Sequence, residues 1–426
     1  MKEKPFVSDV LRSLPTYTSK AISAAAKADP TIVNLAIGEP EFGPPQHLLS
    51  AIQETCLNLD SFTASVKSYE QSRGMPSLRR AVSDWYLRRY GLEIDPETEV
   101  LITHGGVEAI ALAILCTSNP GDTIMITDPT YMLYSRSAHT LGRRPLSLIR
   151  HPDSEYLGMI DDFNTRYAPT NSHRALIVNS PENPTGYVID DPEWKSLASF
   201  ANDHNLWIIH DEVYDTMTFT RPHTAARCVD GLKDRAILIN SCSKKFGVPG
   251  LRIGWLCAPA DVISLAAKLH DYLFLGVNIL YERIAQILIQ DQLSTSWLNA
   301  QTDVLATRVK KILDELTETH GFRWDRRPLG AMFAFPNVAR LAQLVTDSRY
   351  TNNRPGGDVV AEFLLREHKI AVVPGSTYGS QGNECLRLVL CTGDRDVHEG
   401  IQRLKTASER LSSVAPVCAE AAQRHH

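Results

Sequence analysis

The sequence predicts an α/β fold: a large domain on a mostly parallel central sheet flanked by helices, joined to a smaller α+β domain. Three observations carry this reading. Six short runs rich in Ile, Leu and Val lie between residues 95 and 260, helix-like periodicity separates them, and the pattern turns to long helices and mixed segments after 260. A chain of 426 residues is also too long for one small core.

The first 45 residues read as an arm that packs with the smaller domain or reaches toward a neighbouring subunit. The large domain is expected over 46–290. Its runs are VLIT (100–103), TIMIT (123–127), ALIVN (175–179), LWIIH (206–210), AILIN (236–240) and IGWLCA (253–258). Strands covered by helices on both faces read as unbroken apolar runs of this kind. Stretches 107–117 and 192–204 supply the helical periodicity between them. The small domain is expected over 291–411, with a long helix across 298–318 and another near 358–368. GAMFAFP (330–336), KIAVVPG (369–375) and CLRLVLC (385–391) complete it. From 412 the small and polar residues read as a flexible tail.

Composition narrows the function classes. Charged residues make up 22% and the formal net charge is -5, so nothing favours nucleic acid or an anionic membrane as a partner. The N-terminus lacks the apolar core of a signal peptide, and no window approaches the roughly 20 apolar residues of a membrane helix. The eight cysteines form no Cys-x-x-Cys pair, so neither a zinc site nor a disulfide framework is expected. A cytoplasmic enzyme fits these features.

Ligands of an open α/β sheet bind beyond the carboxyl ends of its strands, so the residues that follow each run carry the functional information. After VLIT comes His104-Gly105-Gly106-Val107, opening a helix. Such glycines serve either a tight turn or the approach of backbone N–H groups to a phosphate. After LWIIH comes Asp211, with Tyr214 behind it, where an acid can cap, pair or bind. After AILIN comes Ser241-Cys242-Ser243-Lys244-Lys245, followed by Gly250-Leu251-Arg252-Ile253-Gly254. A lysine ending a buried strand is placed for depressed basicity and nucleophilic attack on carbonyls.

This stretch resembles the lysine signature of the class I/II aminotransferases, the aspartate aminotransferase-like group of pyridoxal-5'-phosphate (PLP) enzymes of fold type I. The resemblance extends over roughly residues 30 to 405. It implies that Lys244 holds PLP as a Schiff base, and that Arg252, Ser241 and the amides of Gly105, Gly106 and Val107 bind the phosphate. In NSPENPTG, Asn183 matches the asparagine at the phenolic oxygen. Tyr214 matches the tyrosine at the same oxygen, Asp211 the aspartate at the pyridine nitrogen, and Tyr131 the aromatic stacked on the ring. Gly38 matches a glycine lining the substrate pocket, and Arg387 the arginine for the substrate α-carboxylate. Tyr69 matches a tyrosine that reaches a neighbour's phosphate, which implies a homodimer with shared active sites.

The resemblance implies transfer of an amino group between an L-amino acid and a 2-oxo acid. The alternative on the same scaffold is elimination, replacement, cyclisation or oxidation of an amino acid, since fold does not fix chemistry. His104, Lys245 and Glu39 read as structural. The apolar run Leu273–Val277 stands where dicarboxylate-specific relatives carry an arginine.

Overall fold

Seven strands form the central sheet of the computed structural model, which describes residues 8–69, 71–167, 170, 172–351 and 353–423. Their order is Val100–Thr103, Gly254–Cys257, Ala236–Ser241, Trp207–Asp211, His173–Asn179, Thr123–Asp128 and Arg144–Ile149. Every neighbouring pair is parallel except those of Gly254–Cys257, which is antiparallel to both its neighbours. Six of the seven are the apolar runs the sequence predicts. The seventh, Arg144–Ile149, is an edge strand. Pro145 and Ser147 break its apolar pattern, and both are exposed, as an edge tolerates.

The unbroken runs have a direct structural cause. Successive strand side chains point to opposite faces. Leu176 and Val178 enter one core while Ala175 and Ile177 enter another, and Leu238 divides from Ile237 and Ile239 in the same way. One core packs against helices Pro76–Tyr90, Glu155–Arg166, Asp191–Asp203 and Ile279–Gln290. The other packs against Gly106–Thr117 and Ala260–Phe274. Burial of each such Leu or Ile contributes roughly 1.5–3 kcal/mol, so both faces hold the sheet that carries the site.

A separate core gathers Val33, Ile312, Phe322, Val360, Leu388 and Leu404. It belongs to helices Ser294–Glu315, Gly356–His368 and Asp394–Gln423 and to a three-stranded antiparallel sheet of Val373–Pro374, Leu386–Val389 and Phe333–Ala334. The N-terminal arm joins this part of the molecule, because Val33–Asn34 pairs in parallel with Ile370–Ala371. The last helix, Asp394–Gln423, carries its backbone through the stretch that reads as a tail. Among the described residues no helix is long and apolar enough to cross a membrane.

Candidate active site

The carboxyl ends of the parallel strands open on a cleft of about 880 Å³. Gly38, Gly106, Val107, Tyr131, Asn183, Asp211, Tyr214, Ser241, Lys244, Arg252 and Arg387 all line it. Residues spread over 350 positions of sequence thus meet in one place. Tyr69 does not line this chain's cleft and is 83% exposed.

One end of the cleft is built to take an anion. Gly105 caps the helix Gly106–Thr117 with φ +77°, and a Cβ there would stand 2.6 Å from Arg252 Nη2. Only glycine lets the arginine lie over this turn. Gly254 is equally constrained, since its Cβ would fall 2.8 Å from the Gly106 nitrogen. Arg252 Nη2 donates to the His104 carbonyl at 3.2 Å, and its Nη1 to Pro249 O at 2.9 Å. Ser241 caps the short helix Cys242–Lys245, accepting from the Ser243 N–H at 3.0 Å, and its hydroxyl meets Ser243 Oγ at 2.8 Å. First-turn amides without intrahelical partners, two hydroxyls and a guanidinium therefore converge. His104 also lines the cleft, and its ring is held by Glu108. Its Nδ1 lies 2.8 Å from Glu108 Oε2, and the other Glu108 oxygen lies 2.6 Å from His270 Nδ1. Burial raises the Glu108 carboxyl, but these hydrogen bonds outweigh it and leave the group at about 2.

At the other end Asp211 is 4% exposed. It accepts from Tyr134 Oη at 2.7 Å and from the Val213 N–H at 3.3 Å, and it has no salt bridge among the described residues. Burial lifts its carboxyl to about 6. Tyr214 lies beside it, with its ring edge-on to Phe333 and its phenol pushed well up by burial. Tyr131 is bonded through its hydroxyl to Tyr17 and packs edge-on to Tyr134.

Lys244 stands between the two ends. Its Nζ donates to the Gly38 carbonyl at 2.6 Å, and burial depresses its basicity. Arg387 is 4% exposed, clasped between the rings of Phe333 and Tyr378 at 4.8 and 5.1 Å. Its Nη1 donates to Asn183 Oδ1 at 3.3 Å and its Nη2 to Ala36 O, while its buried Nε has no hydrogen-bond partner among the described residues. Gly38 is tight by necessity, since a Cβ would meet Met332 and Phe333 at 3.1–3.2 Å.

Several cleft residues escape sequence reasoning. Tyr134 follows Tyr131 by one helical turn, a spacing that could have suggested it. Tyr17 and Lys20 come from the arm, and only the tertiary fold brings them to the cleft. Leu273 and Phe274 do line it, so the wall expected to be apolar is apolar.

The residues present fit PLP. The Gly105 turn lets the Arg252 guanidinium lie against the first-turn amides, and together they would hold a phosphate; Asp211 would offer a buried carboxylate to a protonated ring nitrogen, and Lys244 an amine of lowered basicity. The family profile of aminotransferase class I and II matches residues 30–404.

This chain belongs to that family.

An aspartate aminotransferase of Streptomyces avermitilis is 28% identical over 390 residues, covering 91% of each protein. A probable N-succinyldiaminopimelate aminotransferase of Mycobacterium tuberculosis is 31% identical over 390 residues, 89% of this chain and 93% of that one. Among solved structures, N-succinyldiaminopimelate aminotransferase from Mycobacterium tuberculosis matches with a TM-score of 0.82 at 30% identity, over 94% of this chain and 100% of that chain. The aromatic aminotransferase from Pyrococcus horikoshii matches at 0.79 and 26% identity, over 91% of this chain and 99% of that chain. This class I and II aminotransferase is a PLP-dependent transferase of fold type I, acting on amino acids and 2-oxo acids.

Proposed function

We propose that Lys244 carries the cofactor and shuttles the proton of an amino-group transfer from an L-amino acid to a 2-oxo acid. The observation that carries this reading is the Lys244 amine, low in basicity and fixed between an anion cup and the Arg387 guanidinium. PLP supplies an electron sink for the electrons left when the substrate's Cα–H bond breaks. The protein supplies the rest. Arg252, Ser241 and the amides at Gly105, Gly106 and Val107 bind the phosphate. Asp211 keeps a proton on the pyridine nitrogen. Tyr214 and Asn183 donate toward the phenolic oxygen, for which Asn183 keeps its Nδ2 while its Oδ1 serves Arg387. Tyr131 covers the ring. Arg387 takes the α-carboxylate, and Gly38, packed close against Met332 and Phe333, lines the pocket beside it. Lys244 moves a proton between Cα and the cofactor's C4'.

The test is a half-reaction under argon with single amino acids and no 2-oxo acid. At least one amino acid should bleach the yellow enzyme to its pyridoxamine form, and a 2-oxo acid should restore it while giving a new amino acid. Ammonia, or a product with an altered side chain, in place of that exchange would favour elimination, replacement, cyclisation or oxidation. In the same assay Arg387→Ala should lower kcat/KM by about 10²-fold, corresponding to the roughly 2–5 kcal/mol lost when a buried charge pair loses one partner. The loss should fall mainly on KM.

Tyr17, Ile37, Tyr131, Leu273 and Phe274 give the cleft an apolar and aromatic wall. A bulky neutral side chain suits it better than a second carboxylate. Lys20 is the cation on this rim, but it is exposed and sits 5.4 Å over the Tyr17 ring, where solvent screens it. Aspartate should therefore rank below aromatic and large aliphatic amino acids in the panel, and first place for aspartate would overturn this specificity.

We infer a homodimer with shared sites. Tyr69, Val66, Tyr272 and Leu275 are each 59–83% exposed, and Ser72 Oγ bonds Asp271 Oδ2 at 2.6 Å, which brings the two stretches together. Leu273 and Phe274 extend the same apolar surface into the cleft. A patch of this kind calls for a partner, and a second copy would bring its own Tyr69. Lys244→Ala and Tyr69→Ala chains, each inactive alone, should regain about a quarter of wild-type activity when mixed in equal amounts and reassembled. That is the share of intact sites in random dimers. No recovery, or a monomer by sedimentation, would defeat sharing. Cys56, Cys116, Cys228, Cys242, Cys257, Cys385 and Cys391 are free thiols, which suits a cytoplasmic setting.

A further inference from the structure

Behind Lys244 stands a second lysine that the mechanism does not use. Adjacent residues on a helix point about 100° apart, so when Lys244 faces the cleft Lys245 faces the core. Lys245 is completely buried. Its Nζ lies 3.0 Å from Asp215 Oδ1, donates to Asn240 Oδ1 and reaches Ser241 O at 3.2 Å. The rings of Trp255 and Trp85 cover it at 5.1 and 5.7 Å.

Each partner belongs to a segment that carries site residues. Asn240 and Ser241 end the strand before Lys244. Asn240 Oδ1 also accepts from the Ser241 N–H at 2.8 Å, so it holds the residue that caps the Lys244 turn. Asp215 follows Tyr214 directly and closes the turn begun at Asp211, its N–H donating to Glu212 O at 2.9 Å. Its Oδ2 accepts from Tyr90 Oη at 2.8 Å. Burial pushes the Asp215 carboxyl up, and Lys245, together with His223 and Arg89, outweighs it and holds the group below the usual range. Glu212 continues the network, accepting from Tyr86, from His223 Nε2 at 2.9 Å and from Asn240 Nδ2 at 3.5 Å. A single ammonium thus ties the Asp211–Tyr214 turn to the Ser241–Lys244 turn.

Stability alone is a poor reason for such a pair. Two ions taken out of water lose hydration comparable to their attraction, and apolar groups of similar volume are often neutral or better. Trp85 and Trp255 would receive a methionine well. What an apolar pair cannot supply is direction: the ammonium fixes the separation of two turns through named acceptors.

We propose that Lys245 and Asp215 are a positioning pair that holds Lys244 and Ser241 in register with Asp211 and Tyr214 around the cofactor. This rests on the reading that Lys244 carries PLP. The test compares wild type with K245M/D215L, which removes both charges, and D215N, which keeps the size of Asp215. Three quantities are read on each protein: melting temperature without PLP, Kd for PLP, and the pH midpoint of the bound cofactor's visible band. Both variants should bind PLP about tenfold more weakly or worse, and their midpoints should move by about half a pH unit or more. The double variant should melt near the wild type. A merely structural pair would change the melting temperature and leave Kd and midpoint alone. Either variant, folded and with both quantities at wild-type values, overturns the proposal, and D215N decides the matter if the double variant does not fold. Borohydride trapping of the wild type separates the two readings. An adduct away from Lys244 defeats the site assignment, whereas an adduct on Lys244 with wild-type-like variants defeats only the positioning pair.

Discussion

Lys244→Ala should abolish turnover while leaving a folded protein that still binds PLP. The phosphate cup does not depend on the lysine: Gly105, Ser241 and Arg252 are held by their own backbone and side-chain contacts. What would disappear is the amine proposed to anchor the cofactor and to move the proton of the substrate's Cα. Losing a nucleophile and a general base together should lower kcat by about 10⁴-fold or more. Equilibrium dialysis should give PLP binding within reach of the wild type, and the single-turnover rate should collapse. A variant with a tenth of normal activity would show that another group moves the proton.

Asp211→Asn should produce opposite effects on activity and on stability. Its carboxylate, bonded by Tyr134 and Val213, is the group proposed to keep a proton on the pyridine nitrogen, a charge interaction that would matter most as negative charge develops in the transition state. Removing one such preorganised group typically lowers kcat about 10²–10³-fold. In the cofactor-free protein the same carboxylate is a burden. Its pKa is raised from 3.8 to about 6 by burial, so its favourable contribution is present below 3.8 and is lost as pH rises through about 6. Asparagine carries no such dependence. Above pH 6 the cofactor-free variant should therefore be more stable than wild type, by up to about 3 kcal/mol at 1.36 kcal/mol per pH unit, with little difference near pH 4. Urea melts at pH 4.5 and 7.5 measure this. Equal destabilisation at both values would mean that Asp211 is held by a charge rather than by burial alone.

Much of this was legible in the residues because their surroundings are uniform. Runs such as ALIVN and AILIN read as strands since both faces are covered, so every position is apolar. RPLSLI did not, because an edge strand answers to solvent on one side and accepts proline. The cleft residues were legible for a different reason: Lys244, Ser241 and Arg252 lie within twelve residues of each other and match the lysine signature of the family, and the fold brings all three to one cleft. Tyr134 was hidden although it holds Asp211, since a buried tyrosine on a helix looks like any core aromatic. Tyr17 and Lys20 were hidden because their place in the cleft depends on how the arm crosses the large domain. Lys245 read as structural, and burial does make it a core residue. Its partners on two separate turns exist only in the folded chain, and no spacing in the sequence announces that Asp215 lies 3.0 Å from its amine.

The dimer proposed from Tyr69 and the apolar patch bears on how these effects are measured. If a neighbour completes each phosphate cup, dilution below the dimer's dissociation constant should weaken PLP binding in wild type and variants alike. Comparisons are best made at one protein concentration.

The most direct test of the account is borohydride reduction of the yellow enzyme followed by peptide mapping. Lys244 and Lys245 are neighbours with the same chemistry in solution, and only the fold separates a cleft amine of lowered basicity from a buried, ion-paired one. The account predicts a single pyridoxyl adduct on Lys244, absent from Lys244→Ala. An adduct on Lys245, or none on either lysine, would contradict it.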